Sequence, residues 1–195
     1  LPICQWNRRQ IYDRNYSETR VPQVPGIILE TLSHQNFADL LRGHDPTFKM
    51  LLSRAIYKGI LKYAASVHAL PTPVAQPLPV SDFAALLDAE GDSVTLSWRP
   101  TADPTDSLSL PTGYVVYMSE GEMGYDNGHA VPGSQVRLPL RRGVLTRFQV
   151  RAFNEGGCSL PSEELCVYSP RHPRHRVLIV NGFQRLAGPQ PIETD

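Results

Sequence analysis

The sequence predicts a multidomain chain, an α/β segment followed by an all-β sandwich, and three observations carry that reading. From Pro71 to Pro79 the chain reads PTPVAQPLP, whose four prolines lack backbone donors and favour an extended, semi-rigid course. Before this stretch stand an apolar run and a long helical period. After it come short alternating strands punctuated by turn signals. The expected boundaries are residues 1–70 for part of an α/β domain, 71–79 for a linker, 80–170 for the sandwich, and 171–195 for a connector and the start of a further domain.

In the first segment Gly26–Leu32, GIILETL, is continuously apolar apart from Thr31 and Glu30, as expected of a strand covered on both faces by helices. Ionised carboxylates are almost never fully buried without a partner, so Glu30 marks the exposed end of that strand or faces a positive charge. Further on, Asp45 is a natural N-cap and Pro46 suits the first helical position. Phe48, Leu51, Leu52, Ala55, Ile56, Ile60, Tyr63 and Ala64 then recur at helical spacing. Lys49, Arg54, Lys58 and Lys62 fall largely elsewhere, so the apolar side is expected to pack on a sheet. One strand and one long helix do not build a doubly covered sheet, which places most of this domain upstream of Leu1.

The second segment alternates at period two. DSVTLSWRP puts Val94, Leu96 and Trp98 on one face, and GYVVYMSE, SQVRLPL and LTRFQVRAFNEGG supply further strands. Asn127-Gly128 and Gly156-Gly157 are turn signals. A segment of this length suits a seven-stranded sandwich. Beyond the polar connector SPRHPRHR, Val177–Phe183 reads as the opening strand of another buried sheet, or else as a last strand added to the sandwich.

Bulk composition narrows the partners. Among 195 residues, 41% are hydrophobic and 19% charged, an ordinary folded balance. Lys plus Arg and Asp plus Glu both total 19, so no global charge points to nucleic acid or a membrane surface. No apolar run approaches the roughly 20 residues of a membrane helix. The chain opens at Leu1 without an initiator Met or a signal segment, so its amino end is expected to be cut. Cys4, Cys158 and Cys166 form no disulfide framework and no paired metal spacing. Cys158 and Cys166 could pair if strand geometry brings them together, but free, partly buried thiols are the expectation.

The stretch VPGIILETLSHQN (Val24–Asn36) resembles the last strand of zinc-dependent N-acetylmuramoyl-L-alanine amidases, where V-P-x-hydrophobic-L-x-E delivers a catalytic glutamate before an S-x-x-N-like turn. FKMLLSRAIYKGILKYA resembles that family's C-terminal helix with its A-I-x-x-G-I motif, and the likeness covers Val21 to about Ala65. The resemblance implies that Glu30 is catalytic, beside a zinc held by two His and one Glu. Those ligands would lie upstream of this chain, so zinc is expected in the full-length parent and none in these residues. His34 and His44 are a weak metal pair. His34 instead is expected to line the cleft, with Glu18 and Arg20 meeting charges of a substrate peptide. Asn36 reads as the cap of a short helix.

Leu78–Pro170 resembles a fibronectin type III domain, an immunoglobulin-like sandwich, through Trp98 in LSWRP, Tyr114 in TGYVVYMSE, and FQVRAFNEGGCSLPSE. In that family a tyrosine usually stands at the position of Phe148. Trp98 is expected in the core. Tyr117, Tyr125 and His129 lie in or near loops and could stack on a glycan, but ordinary surface placement is the expectation. The whole resembles multidomain bacterial cell-envelope proteins, some of them labelled xanthan lyases. It implies a secreted, periplasmic or cell-surface hydrolase acting on peptidoglycan or another envelope polysaccharide. The alternatives are a non-catalytic glycan-binding scaffold and a polysaccharide lyase-associated protein.

Overall fold

The computed structural model describes residues 10–172 and 174–181. They fall into two compact units, 10–51 and 52–181.

In the first unit, α1 (Ser17–Arg20) and α2 (Phe37–His44) are short. The Asn36 side chain accepts the Ala38 N–H at 3.0 Å and starts α2, as its residue type predicts. The helix α3 (Pro46–Val67) begins where expected, with the Asp45 carboxylate accepting the Thr47 N–H at 2.9 Å. The strand expected at Gly26–Leu32 does not form, and Ile27 is 74% exposed. A strand exists through its ladder, and among the described residues no backbone pairs with this run. The described part of the segment is therefore helices and extended chain, and no α/β sheet is present in it. The run Val177–Asn181 likewise forms no strand and is exposed; Gly182 and Phe183 lie outside the described residues, as does Cys4.

The second unit is a two-sheet β-sandwich. Sheet one has the order β1 (Ser81–Leu87), β2 (Ser93–Arg99), β5 (Gln135–Pro139). Sheet two has the order β4 (His129–Val131), β3 (Gly113–Glu120), β6 (Leu145–Asn154). On the far side of β6 two short strands follow one another, β7 (Gly157–Cys158) and β8 (Leu165–Tyr168). Every pairing is antiparallel. The alternation read along β6 is real: Thr146, Phe148, Val150 and Ala152 point inward and are buried. With Val94, Leu96, Trp98, Tyr114 and Val116 they form the core between the sheets. Trp98 lies edge-on to Tyr114, ring centroids 5.3 Å apart, so it is a core residue as expected.

Register settles the thiols. Cys158 pairs with Phe153 and Cys166 with Arg147, six residues apart on β6. At about 3.3 Å per residue that separates them by about 20 Å, beyond the reach of a disulfide. Both are free and exposed rather than partly buried.

The Thr146 hydroxyl is fully buried and has no hydrogen-bond partner among the described residues. Thr146→Val keeps the shape and removes an orphaned polar group, so unfolding free energy is expected to rise by about 1 kcal/mol in a denaturant titration. A loss of stability would mean the hydroxyl does find a partner.

Candidate functional site

Of the candidate residues, Glu18 and Arg20 lie in α1, and Glu30 and His34 on the segment that follows it. The chain at Gly26 runs close against α1, where a methyl group would sit 3.7 Å from the Thr19 Cα and 3.9 Å from the Glu18 carbonyl oxygen. Beyond Glu30 the chain turns tightly. The Asp39 carboxylate accepts the Ser33 N–H at 2.9 Å and the Ser33 hydroxyl accepts the Gln35 N–H at 3.2 Å. Leu32 lies beside Gly43, so the turn folds back onto α2.

Glu30 is exposed, and among the described residues nothing pairs with it. The strand-end ion pair that sequence logic offered as an alternative is absent there. His34 sits exposed in the turn at 34–35. Glu18 accepts the Ser17 hydroxyl at 3.0 Å, and hydrogen bonds from its own backbone and from Ser17 lower its pKa. Arg20 closes α1 and is exposed. Among the described residues no hydrogen bond or ion pair joins Glu30 to Glu18, Arg20 or His34. His44 is the last residue of α2, just ahead of Asp45 and α3.

No group of three His, Cys, Asp or Glu side chains among the described residues could hold a metal ion. These residues do not by themselves make a zinc site.

On the sandwich, the three side chains considered for glycan stacking all have protein partners. The Tyr125 hydroxyl donates to Glu164 at 2.5 Å. Burial and then the Glu164 carboxylate push its pKa well above the usual phenol range. Tyr117 lies against Gly128 on one side, with the Arg151 guanidinium 5.9 Å from its ring centroid. His129 Nε2 lies 3.0 Å from the Asp126 carboxylate.

The group that sequence reasoning missed is Asp103, in the loop between β2 and β3. Its side chain is 1% exposed and meets Arg54 and Lys58 of α3, each at 2.5 Å. Burial alone would raise its pKa; hydrogen bonds from Lys58, Arg54 and Thr105 outweigh that and hold it far below the usual carboxylate range. A depressed carboxylate contributes stability above its unfolded pKa, about 3.9, and loses it as pH falls toward the folded value. The other charge beside this cluster is Asp106, 3.5 Å from Lys58. Below about pH 4 the unfolding free energy is therefore expected to fall more steeply for the wild type than for Asp103→Asn. Parallel pH profiles of the two proteins would refute this.

The helix thus docks by a charged edge. Arg54 and Lys58, placed by their spacing away from the apolar side, make the contacts, while Ile60 and Tyr63 are 57% and 55% exposed. No helix among the described residues is long and apolar enough to cross a membrane.

No family model matches the chain, and no curated protein matches it. Solved structures do. The twitchin kinase region from C. elegans is 27% identical over 52% of this chain and 18% of its own length, with a TM-score of 0.44. The fourth FNIII domain of a human protein is 23% identical over 54% of this chain and 90% of that domain, TM-score 0.44. The FN5 domain of Drosophila Lar is 20% identical over 49% of this chain and 99% of that domain, TM-score 0.38. The chain spans less than a fifth of the twitchin structure. The β-sandwich itself rests on the strand order and register above.

Proposed function

We propose that this chain carries the closing segment of an N-acetylmuramoyl-L-alanine amidase-type domain joined to a fibronectin type III-type spacer, in a protein that works on peptidoglycan in the bacterial envelope. The observation that carries the reading is the Glu30 segment itself. A run apolar on both parities is exposed and, among the described residues, unpaired, and it is followed by a capped turn and a helix whose apolar side chains Met50, Leu51, Ile60 and Tyr63 are also exposed. Those are the surfaces of a strand and a helix that belong against a sheet. Glu30 lies on that run with its carboxylate open to solvent and unpaired among the described residues, so it is free to meet a substrate.

In the proposed reaction water attacks the lactyl carbonyl carbon, the amide C–N bond breaks, and the L-alanine nitrogen leaves as an amine. Glu30 takes the proton that the attacking water loses and hands it to that nitrogen. Glu18, Arg20 and His34 are proposed to contact the substrate peptide. The zinc of such an amidase would be held by residues that this chain does not contain. The sandwich order β1-β2-β5 against β4-β3-β6 supports the spacer reading, and a fold of this kind names no ligand of its own.

The test is release of new L-alanine amino termini from peptidoglycan by the full-length natural protein, with and without a chelator. Release that is lost on chelation and restored by zinc is the expected result. A folded protein that releases nothing retires the amidase reading and leaves a binding scaffold.

A further inference from the structure

The best-built polar cluster in the second unit ties α3 and the proline stretch to the sandwich. Asp103 Oδ2 accepts from Arg54 Nε and Lys58 Nζ, and Asp103 Oδ1 accepts the Thr105 N–H and hydroxyl, each at 2.8 Å. Arg54 and Lys58 are four residues apart, so one edge of the helix supplies both cations. Lys58 also donates to the Thr105 hydroxyl at 2.8 Å. Arg54 reaches further and donates to the Gln76 carbonyl at 2.8 Å, inside the proline stretch.

The proline stretch is gripped from its other side by the end of β6. Asn154 Nδ2 donates to the Ala75 carbonyl at 2.9 Å and to the Leu110 carbonyl at 3.4 Å. At Gly156 a methyl group would fall 2.2 Å from the Val74 carbonyl oxygen and 2.9 Å from the Gln76 nitrogen. Only glycine permits that approach. Ala75 is 2% exposed and Pro77 is fully buried. Four prolines read as a semi-rigid spacer, yet 74–77 lie between Arg54 on one side and Asn154 and Gly156 on the other.

The proline stretch is held by apolar burial as well, at Ala75, Pro77 and Val80, whereas α3 itself buries little. No α3 residue belongs to the sandwich core, and within α3 only Ala65 is buried. At the helix the hold is therefore chiefly one of charge, centred on the Asp103 carboxylate.

We propose that residues 52–80 form a latch: the second half of α3 and the proline stretch close on the sandwich as one piece, locked by charge at Asp103, and open as one piece while the sandwich stays folded. The sandwich is then an anchor for α3 rather than a tethered module, and the mechanical boundary lies inside the helix instead of at the prolines. This inference stands independently of the amidase reading.

Hydrogen exchange on the full chain tests it. In Asp103→Asn the amides of residues 56–67 are expected to exchange on the order of 100-fold faster, with those of β3 and β6 unchanged. The Asn154 side chain makes its hydrogen bonds to Ala75, Leu110 and Gly156 and none to α3 among the described residues, yet Asn154→Ala is expected to speed the same 56–67 amides because strap and helix open together. Unchanged exchange at 56–67 in Asp103→Asn overturns the latch. Equal acceleration in β3 and β6 overturns it as well, since the unit would then have no separate opening. Acceleration in Asp103→Asn alone, with Asn154→Ala silent at 56–67, shows helix and strap to be independent and overturns the single piece. Should Asp103→Asn fail to fold, the paired change Arg54→Gln with Lys58→Gln removes the same charges from the helix side, and the same outcomes decide.

Discussion

Glu30→Gln in the full-length natural protein is expected to lower the release of L-alanine amino termini by roughly 10²- to 10⁴-fold, the usual share of a positioned acid–base group. Glutamine keeps the size and polarity of the side chain and removes its capacity to accept a proton. Because Glu30 is exposed and pairs with nothing among the described residues, the change breaks no internal bond. Unfolding free energy should therefore move by no more than about 0.5 kcal/mol, which separates lost chemistry from lost folding. The loss should fall on kcat. By contrast, Glu18→Gln and His34→Gln, proposed as substrate contacts, should act mainly on KM. A Glu30→Gln protein that retains the wild-type rate would remove Glu30 from the reaction and leave its segment a structural one.

What could be read from the sequence and what could not divide along the line between local and non-local causes. The caps at Asn36 and Asp45 are local, since a side chain two residues from its donor needs nothing else, and both form. Strands β2, β3, β5 and β6 were legible because alternation at period two is written along each. Strand β1 was not, because its opening is irregular: Asp82 has a φ of 51° and the register shifts between Ser81 and Ala84. Gly26–Leu32 shows the limit most clearly. An apolar run looks the same whether or not a neighbouring strand pairs with it, and pairing is a property of other residues.

The docking side of α3 failed for the same reason. Helical periodicity locates an apolar stripe, but the partner that chose the charged edge is Asp103, 49 residues from Arg54. Nothing within a helical window announces it. For the candidate site, the role given to Glu30 rests on a family resemblance and not on any pattern along the chain. The structure adds that this carboxylate is open to solvent and that the turn after it is fixed by Ser33, Asn36 and Asp39.

Truncating Phe148 to alanine is expected to cost about 3–5 kcal/mol, the range for removing a buried aromatic ring. Phe148 is 0% exposed at the middle of the core, on β6 between Met118 of β3 and Leu165 of β8. Its neighbours on the inner face are pinned by ladders on both sides, so they cannot close fully over the missing ring. The cost is then the lost transfer of the ring from water plus the cavity it leaves. Against a typical total of about 5–15 kcal/mol, that is a third or more of what a domain has. Phe148→Leu fills part of the space and should cost less than half as much. Denaturant titration reads both changes, with a lower midpoint at an unchanged slope if the sandwich still unfolds in one step. A loss under about 1 kcal/mol for alanine would mean the two sheets collapse onto the gap. The register that places Phe148 between them would then be looser than the ladder of β3, β6 and β8 implies.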